Sequence, residues 1–298
     1  VFQWIRRRFG RTAVREQPND SPTELIGGRK RVMGVPYVLP KDDEEINRLD
    51  FQHYMLRFAL TGNYAAPIQH PRSILDVGCG TGRWAREMAQ LFPQASVVGL
   101  DVTTPPADES AAELRPPNYS FTTGNVLEGL PFADGEFDFV HMRLLVTAIP
   151  ADRWPMVVRE LIRVTHEGGW VESVESVPAR DGGPAMDAIF GWLSELSLRR
   201  GVDLRLGAQV GQLMRASGLA NVVSREVDIP IGRYGGRVGN MMMTDSLSGF
   251  KAVGGILTAQ NFTTTEAYDA ALTRLRTDLD SDRYHCYSPF FIAYGQRT

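Results

Sequence analysis

The chain has 298 residues, 43% of them hydrophobic and 22% charged, with a formal net charge of -3. That is enough apolar material to bury a large share of its surface in one sizeable domain, which excludes whole-chain disorder. Its two cysteines, Cys79 and Cys286, exclude a disulfide scaffold and a Cys-x-x-Cys metal knuckle, and no apolar run approaches the ~18 residues that cross a bilayer. The opening Val-Phe-Gln-Trp-Ile-Arg-Arg-Arg carries its charges after its apolar residues, the reverse of a secretory signal, so the expectation is a soluble cytoplasmic protein with no metal site.

In chain order, residues 1–36 read as a flexible basic arm without a sustained apolar period. Up to residue 35 they hold eight Lys/Arg against three acids, a pattern that suits nucleic acid or an anionic surface. The Asn, Asp, Ser and prolines that follow the first cations also suit a solvated tail. Residues 37–70 form a lid, with an amphipathic helix predicted over 43–60 from Ile46, Leu49, Tyr54, Met55 and Phe58 and closed by Gly62. The remainder, 71–298, reads as a core. Ile74–Val77 is a short buried strand, Gly82–Leu91 a helix stopped by Pro93, and Val97–Asp101 the next strand, which together make a right-handed crossover unit. Strands at Tyr119–Thr122, Phe137–His141 and Trp170–Val174 alternate with a helix at Asp152–Val164. Further on come helices at Met186–Arg199 and Ala208–Ser217, a strand at Val222–Ile229, a Gly/Met-rich stretch at 232–262, a helix at Thr265–Leu279 and a final strand around Phe290–Tyr294. The fold class is α/β: a doubly wound, mainly parallel seven-stranded sheet, with segments 181–205 and 232–284 left over as helical cap insertions.

The chemistry lies in the first strand-to-helix turn, Asp76-Val77-Gly78-Cys79-Gly80-Thr81-Gly82. Glycines stand where a ligand must press on the main chain, because a side chain at Gly78 or Gly80 would take its place. A dinucleotide site needs its third glycine three residues after the second, and that position is Arg83. No Gly-Lys-Ser/Thr phosphate loop exists either. Asp101, nineteen residues past Gly82 at a strand's carboxyl end, is placed to accept from both hydroxyls of a ribose. The pattern points to a nucleoside without a pyrophosphate.

Ile74 through Gly82 followed by Gly99-Leu100-Asp101 resembles the core of class I S-adenosylmethionine-dependent methyltransferases, and so do Gly124-Asn125-Val126, Phe137-Asp138-Phe139-Val140 and Gly168-Gly169-Trp170. The flanks Tyr37-Val38-Leu39-Pro40, Arg48-Leu49-Asp50, Gln52-His53, Ile229-Pro230-Ile231-Gly232 and His285-Cys286-Tyr287-Ser288-Pro289-Phe290 are similar to LaeA-like methyltransferases of secondary-metabolite clusters. The resemblance covers about residues 37 to 298 and implies a Rossmann-like fold that binds S-adenosylmethionine. In-line displacement then moves the sulfonium methyl to an acceptor held collinear in a dry pocket, where proximity supplies about 7 to 11 kcal/mol at best.

By that resemblance Gly78, Gly80 and the Cys79 main chain face the methionine half, Asp101 the ribose, and Asn125 with Val126 the adenine, with Asp76 and Gly82 also cofactor-binding. Val102 packs on the ring, and the Arg143 carbonyl meets the ammonium. Asn125 stands where the family often has Asp, and Arg143 lacks the two prolines that mark nucleobase-amine methylation. Tyr37 either closes over the cofactor or staples the arm to the core. His53 and His285 are the candidate general bases, each with a structural alternative in helix packing or in anchoring the last strand. Trp192 and Met242, beside Met241 and Met243, line an acceptor pocket or pack within the cap. Cys79 reads as a small buried residue, and His166-Glu167 as a turn, since no second histidine follows four positions on.

Because open parallel sheets bind ligands beyond the carboxyl ends of their strands, the cap segments are expected to cover that edge and to favour a small, fairly apolar acceptor over nucleic acid. Two other readings stand beside this one: a cofactor-binding regulator with weak turnover, and an RNA or protein methyltransferase that uses the Arg-rich arm.

Overall fold

The computed structural model describes residues 23–33, 36–104, 115–281 and 283–298. The part of the basic arm before residue 23 lies outside the described residues. Within the rest of it, Thr23–Ile26 (β1) and Arg29–Val32 (β2) pair as an antiparallel hairpin. Gly27 and Gly28 turn it with φ of +59° and +78°, the left-handed pair that a two-residue hairpin requires. Residues 23–33 of the arm thus form a paired hairpin, which the sequence did not predict. Arg29 pairs with Asp42, and Arg31 is buried and donates to the Ala252 carbonyl at 3.1 Å.

Helix α1 spans Asp43–Ala59, capped by Asp42 and acidic in its first turn, as the helix dipole favours. Then follow β3 (Ser73–Val77), α2 (Arg83–Leu91), β4 (Ser96–Asp101), β5 (Tyr119–Thr123), β6 (Phe137–Arg143), α3 (Trp154–Val164) and β7 (Thr165–Ser176). After them come α4 (Gly183–Arg199), α5 (Val210–Ala216), β8 (Ala220–Ile231), α6 (Gly236–Ala259), α7 (Thr265–Asp280) and β9 (Cys286–Gln296). Seven strands form one sheet in the order β5-β4-β3-β6-β7-β9-β8. The first five are parallel, and β9 joins antiparallel to both β7 and β8.

Side-chain alternation builds a core on each face of this sheet. Ile74 and Phe139 pack with Trp84, Ala85 and Met88 of α2, whereas their neighbours Leu75 and Val140 pack with Val157, Leu161 and Met214 on the opposite side. A third cluster joins Met55 and Leu56 of α1 to α4, α6 and α7. The Gly/Met-rich stretch that the sequence left without an element is α6, the longest helix described, at 24 residues. Gly239 and Gly254 are points of close approach: an added Cβ would lie 2.2 Å from the Gly232 carbonyl oxygen at Gly239 and 2.7 Å from the Tyr268 ring at Gly254. Among the described residues no helix is long and apolar enough to cross a membrane.

Candidate functional site

The turn from β3 into α2 holds Gly78, Gly80 and Gly82 at φ of +70°, +57° and +74°. A Cβ at Gly78 would come within 2.7 Å of the Leu145 side chain, and one at Gly82 within 2.6 Å of the Tyr119 hydroxyl. One at Gly80 would approach only Leu49, at 4.0 Å. Gly78 and Gly82 are thus demanded by the protein's own packing, while Gly80 leaves a bare stretch of backbone beside open space.

That space is a cavity of about 290 Å³ beyond the carboxyl ends of β3, β4 and β6. The sequence-predicted residues Tyr37, Asp76, Gly78, Cys79, Gly80, Asp101, Val102, Asn125, Val126 and Arg143 all line it. The Asp101 carboxylate, only 9% exposed, accepts the Gly80 N–H at 2.9 Å and the Thr103 N–H at 3.2 Å, with the Lys41 ammonium 3.8 Å away. Oδ1 also accepts the Thr103 hydroxyl at 3.4 Å, which leaves acceptor capacity on Oδ2 for a sugar hydroxyl. Bare backbone at Gly80 and a buried carboxylate opening on the same cavity fit a nucleoside cofactor.

Asp76 opens on the cavity and accepts from a buried imidazole, His141 Nδ1 at 3.0 Å. His141 stacks on Trp84 with ring centroids 3.8 Å apart, and in the sheet register it faces Asp76 on one side and Glu172 on the other. Glu172 in turn accepts the N–H groups of Ala65 and Ala66 at 2.7 and 2.6 Å, which ties the segment after α1 to the sheet. Glu175 accepts the N–H groups of Leu145 and Val146 at 3.2 and 2.9 Å and so holds the loop that walls the cavity. Burial pushes its carboxyl up to about 8.

Other sequence-predicted residues lie elsewhere. Gly82 does not line the cavity; it caps α2 against Tyr119. His53 is buried, 2% exposed, and its Nδ1 stands 3.2 Å from an Arg143 nitrogen while its Nε2 stands 3.2 Å from Glu87. Burial, reinforced by the Arg143 charge, holds its pKa down to about 4. Buried, with Nδ1 taken by Arg143 and with no opening on the cavity, it is not placed as a base. His285 is exposed, its ring stacked on Tyr234 at 4.5 Å. Trp192 packs beside Tyr268 at 5.9 Å and Met242 sits in the third core cluster. No residue of the cap segments lines the cavity; instead α6 braces α1, where Arg48 bonds Glu45 and, at 2.8 Å, Asp245. The Asn125 oxygen caps the Leu127 N–H at 3.0 Å and its amide donates to Glu128 at 3.1 Å, which commits the side chain to its own turn. Burial raises the Cys79 thiol, with the Asp101 charge adding to it, consistent with a packing residue beside Gly99.

Sequence reasoning missed Lys41, Leu49, Gln52 and the loop residues Leu144, Leu145, Ala148 and Ile149 as cavity walls. The loop follows directly on β6, so its place at a strand's carboxyl end was the available signal.

Residues 74–169 match the model of a methyltransferase domain. Over 205 residues the chain is 31% identical to Methyltransferase str2 of Strobilurus tenacellus, with 66% of this chain and 72% of that protein covered. The chain belongs to the class I S-adenosylmethionine-dependent methyltransferases. This methyltransferase is also 29% identical to Secondary metabolism regulator LAE1 of Cochliobolus heterostrophus, over 65% of its own length and 66% of the relative's. Its fold matches Haemonchus contortus phosphoethanolamine N-methyltransferase 2 in complex with S-adenosyl-L-methionine, at 16% identity and a TM-score of 0.52. The methyltransferase covers 85% of its own chain in that match but only about half, 52%, of the other. Its cofactor is S-adenosylmethionine.

Proposed function

We propose that the methyl group goes to a small, fairly apolar specialised metabolite, at an oxygen, nitrogen or carbon, by in-line displacement. The observation that carries this reading is the cavity, whose mostly apolar surface beyond the glycine turn includes Leu39, Leu49, Leu144, Leu145, Ala148 and Ile149 beside a few charged side chains. Such a surface suits an acceptor with few polar groups.

S-adenosylmethionine, when bound, supplies the activated methyl group. In this reading Gly80 lets the cofactor lie on the main chain, the Asp101 carboxylate takes the ribose hydroxyls, and Val102 and Val126 flank the adenine. Asp76, steadied by His141, answers the ammonium. No imidazole lines the cavity, so an acceptor that arrives already deprotonated, or with a nucleophilic carbon or nitrogen, fits best. The basic arm is not needed for such an acceptor, and Arg29 and Arg31 of its hairpin are already engaged within the fold.

The test is release of S-adenosylhomocysteine when the full chain and S-adenosylmethionine meet fractionated small-molecule extracts. Turnover confined to apolar fractions is the expected result. Turnover on RNA or protein fractions alone would overturn it. A second reading, a cofactor-binding regulator, takes its support from the relative named as a regulator. It predicts tight cofactor binding with no release from any fraction.

A further inference from the structure

Cations that line the cavity are answered by acids, with one exception. Lys41 lies beside Asp101, Arg48 beside Glu45 and Asp245, and Arg83 beside Asp50. Arg143, the last residue of β6, has no carboxylate within ion-pair distance among the described residues; its side-chain hydrogen bond is to a neutral ring nitrogen, His53 Nδ1, at 3.2 Å. A guanidinium stays charged at any working pH and carries five donors in a rigid fork, so four of them are left. Partial burial disfavours this charge, which the Asp76, Glu87 and Glu172 carboxylates offset only in part from beyond ion-pair distance, so the cation at the cavity wall favours an anion there.

The bond to His53 also fixes the direction of that fork. For Nδ1 to accept from Arg143, the ring proton must sit on Nε2, which has the Glu87 carboxylate 3.2 Å away without hydrogen-bond geometry, an electrostatic contact. Glu87 is itself held by Arg57 at 2.8 Å and Asn63 at 3.0 Å. The chain Glu87–His53–Arg143 runs from α2 through α1 to the end of β6 and fixes the guanidinium at the cavity wall. Asp76 lines the same wall on the adjacent strand β3, so a carboxylate and a guanidinium face one space.

We propose that Arg143 is a carboxylate receptor of the cavity, with His53 and Glu87 as the positioning residues that aim it. A carboxylate matches the fork with two parallel N–H···O bonds, which a neutral group cannot do. Two sources carry that chemistry: the α-carboxylate of the cofactor's methionine half, and an acid group on the acceptor. The proposal rests on the methyltransferase reading above.

Calorimetry on the full chain separates the sources. Wild type is titrated with S-adenosylmethionine and with its decarboxylated analogue, and Arg143→Met likewise. A preference of about tenfold or more for the carboxylated form in wild type, lost in Arg143→Met, assigns the cofactor's carboxylate. If neither protein shows a preference, both are loaded with S-adenosylhomocysteine and titrated with benzoate and hexanoate. Binding by wild type that vanishes in Arg143→Met then assigns an acid-bearing acceptor. No preference and no acid binding overturns the proposal while leaving the cofactor reading intact; failure of wild type to bind either nucleoside overturns both. The aiming role is read from the same affinity ratio in His53→Asn, whose side-chain oxygen can stand in for Nδ1, and in His53→Phe. Asn should keep the ratio near wild type and Phe should collapse it. Equal ratios in the two would remove His53 from the receptor.

Discussion

Asp101 Oδ2 accepts the Gly80 N–H at 2.9 Å, so the carboxylate at the end of β4 fastens the glycine turn that follows β3. One side chain thereby shapes the bare backbone and offers lone pairs to the cavity beside it. Asp101→Ala removes both, and S-adenosylmethionine affinity should fall about tenfold or more, from the loss of hydrogen bonds to a charged acceptor. Isothermal titration checks this, and affinity within twofold of wild type would remove Asp101 from the site.

Gly78 and Gly80 should respond differently to alanine. Both hold a positive φ, which costs about 1 kcal/mol for a residue with a Cβ. At Gly78 the new methyl also meets Leu145 at 2.7 Å, whereas at Gly80 nothing lies closer than Leu49 at 4.0 Å. Gly78→Ala should therefore lower the melting temperature more than Gly80→Ala, which should chiefly weaken cofactor binding. Thermal melts with and without S-adenosylhomocysteine decide it; equal melting losses would contradict the packing difference.

Glu175 gives stability a pH dependence. Its carboxyl is pushed from an ordinary 4.5 up to about 8 by burial, against the pull of the Val146 and Leu145 N–H groups. Between those values the unfolded chain has released this proton and the folded one retains it, so stability falls as pH rises from about 4.5 to about 8. Glu175→Gln should flatten that slope without abolishing it, since burial also raises Glu172. Chemical denaturation across the window is the measurement, and an unchanged slope would refute the assignment.

His53 should act in the opposite sense. Its pKa is depressed to about 4 from 6.5, so the folded form stays neutral while the unfolded chain takes up a proton below about pH 6.5, and stability is lost as pH falls toward 4. Nitrogen-15 spectra of the imidazole should show a neutral ring protonated on Nε2 at pH 6. A charged ring there would be inconsistent with its place between Arg143 and Glu87.

Arg48 ties lid to cap. It is buried between Glu45 and Asp245, and Arg48→Met would leave two buried carboxylates facing an apolar side chain, at a cost of about 3–5 kcal/mol. Asp245→Asn leaves the Arg48–Glu45 pair intact and should cost less. Urea unfolding of the two variants checks the order.

Much of the core and the glycine turn was legible because those features are local. Alternating apolar pairs such as Ile74 and Leu75 must face opposite sides of a buried strand, and closely spaced glycines followed nineteen residues on by Asp101 encode a backbone shape within one crossover unit. The β1–β2 hairpin and α6 were not legible. Gly236, Gly239, Gly249, Gly254 and Gly255 argue against a helix by propensity, about 1 kcal/mol each. Close approaches to Gly232 and Tyr268 across the fold outweigh that preference at Gly239 and Gly254, because only glycine fits there, and Gly255 packs tightly on Gly27.

What the sequence by itself determined is therefore the order of strands and helices from β3 to β8 and the identity of the cofactor turn, both set by steric rules that act within a few residues. The tertiary structure alone decided what each isolated side chain does. His53 and Arg143 are 90 positions apart, and Arg48 and Asp245 are 197 apart; neither pairing leaves a mark in local spacing. A histidine that sequence permits as a base becomes an acceptor for a guanidinium once α1 packs over β6, because burial and the neighbouring charge, not residue type, set its protonation.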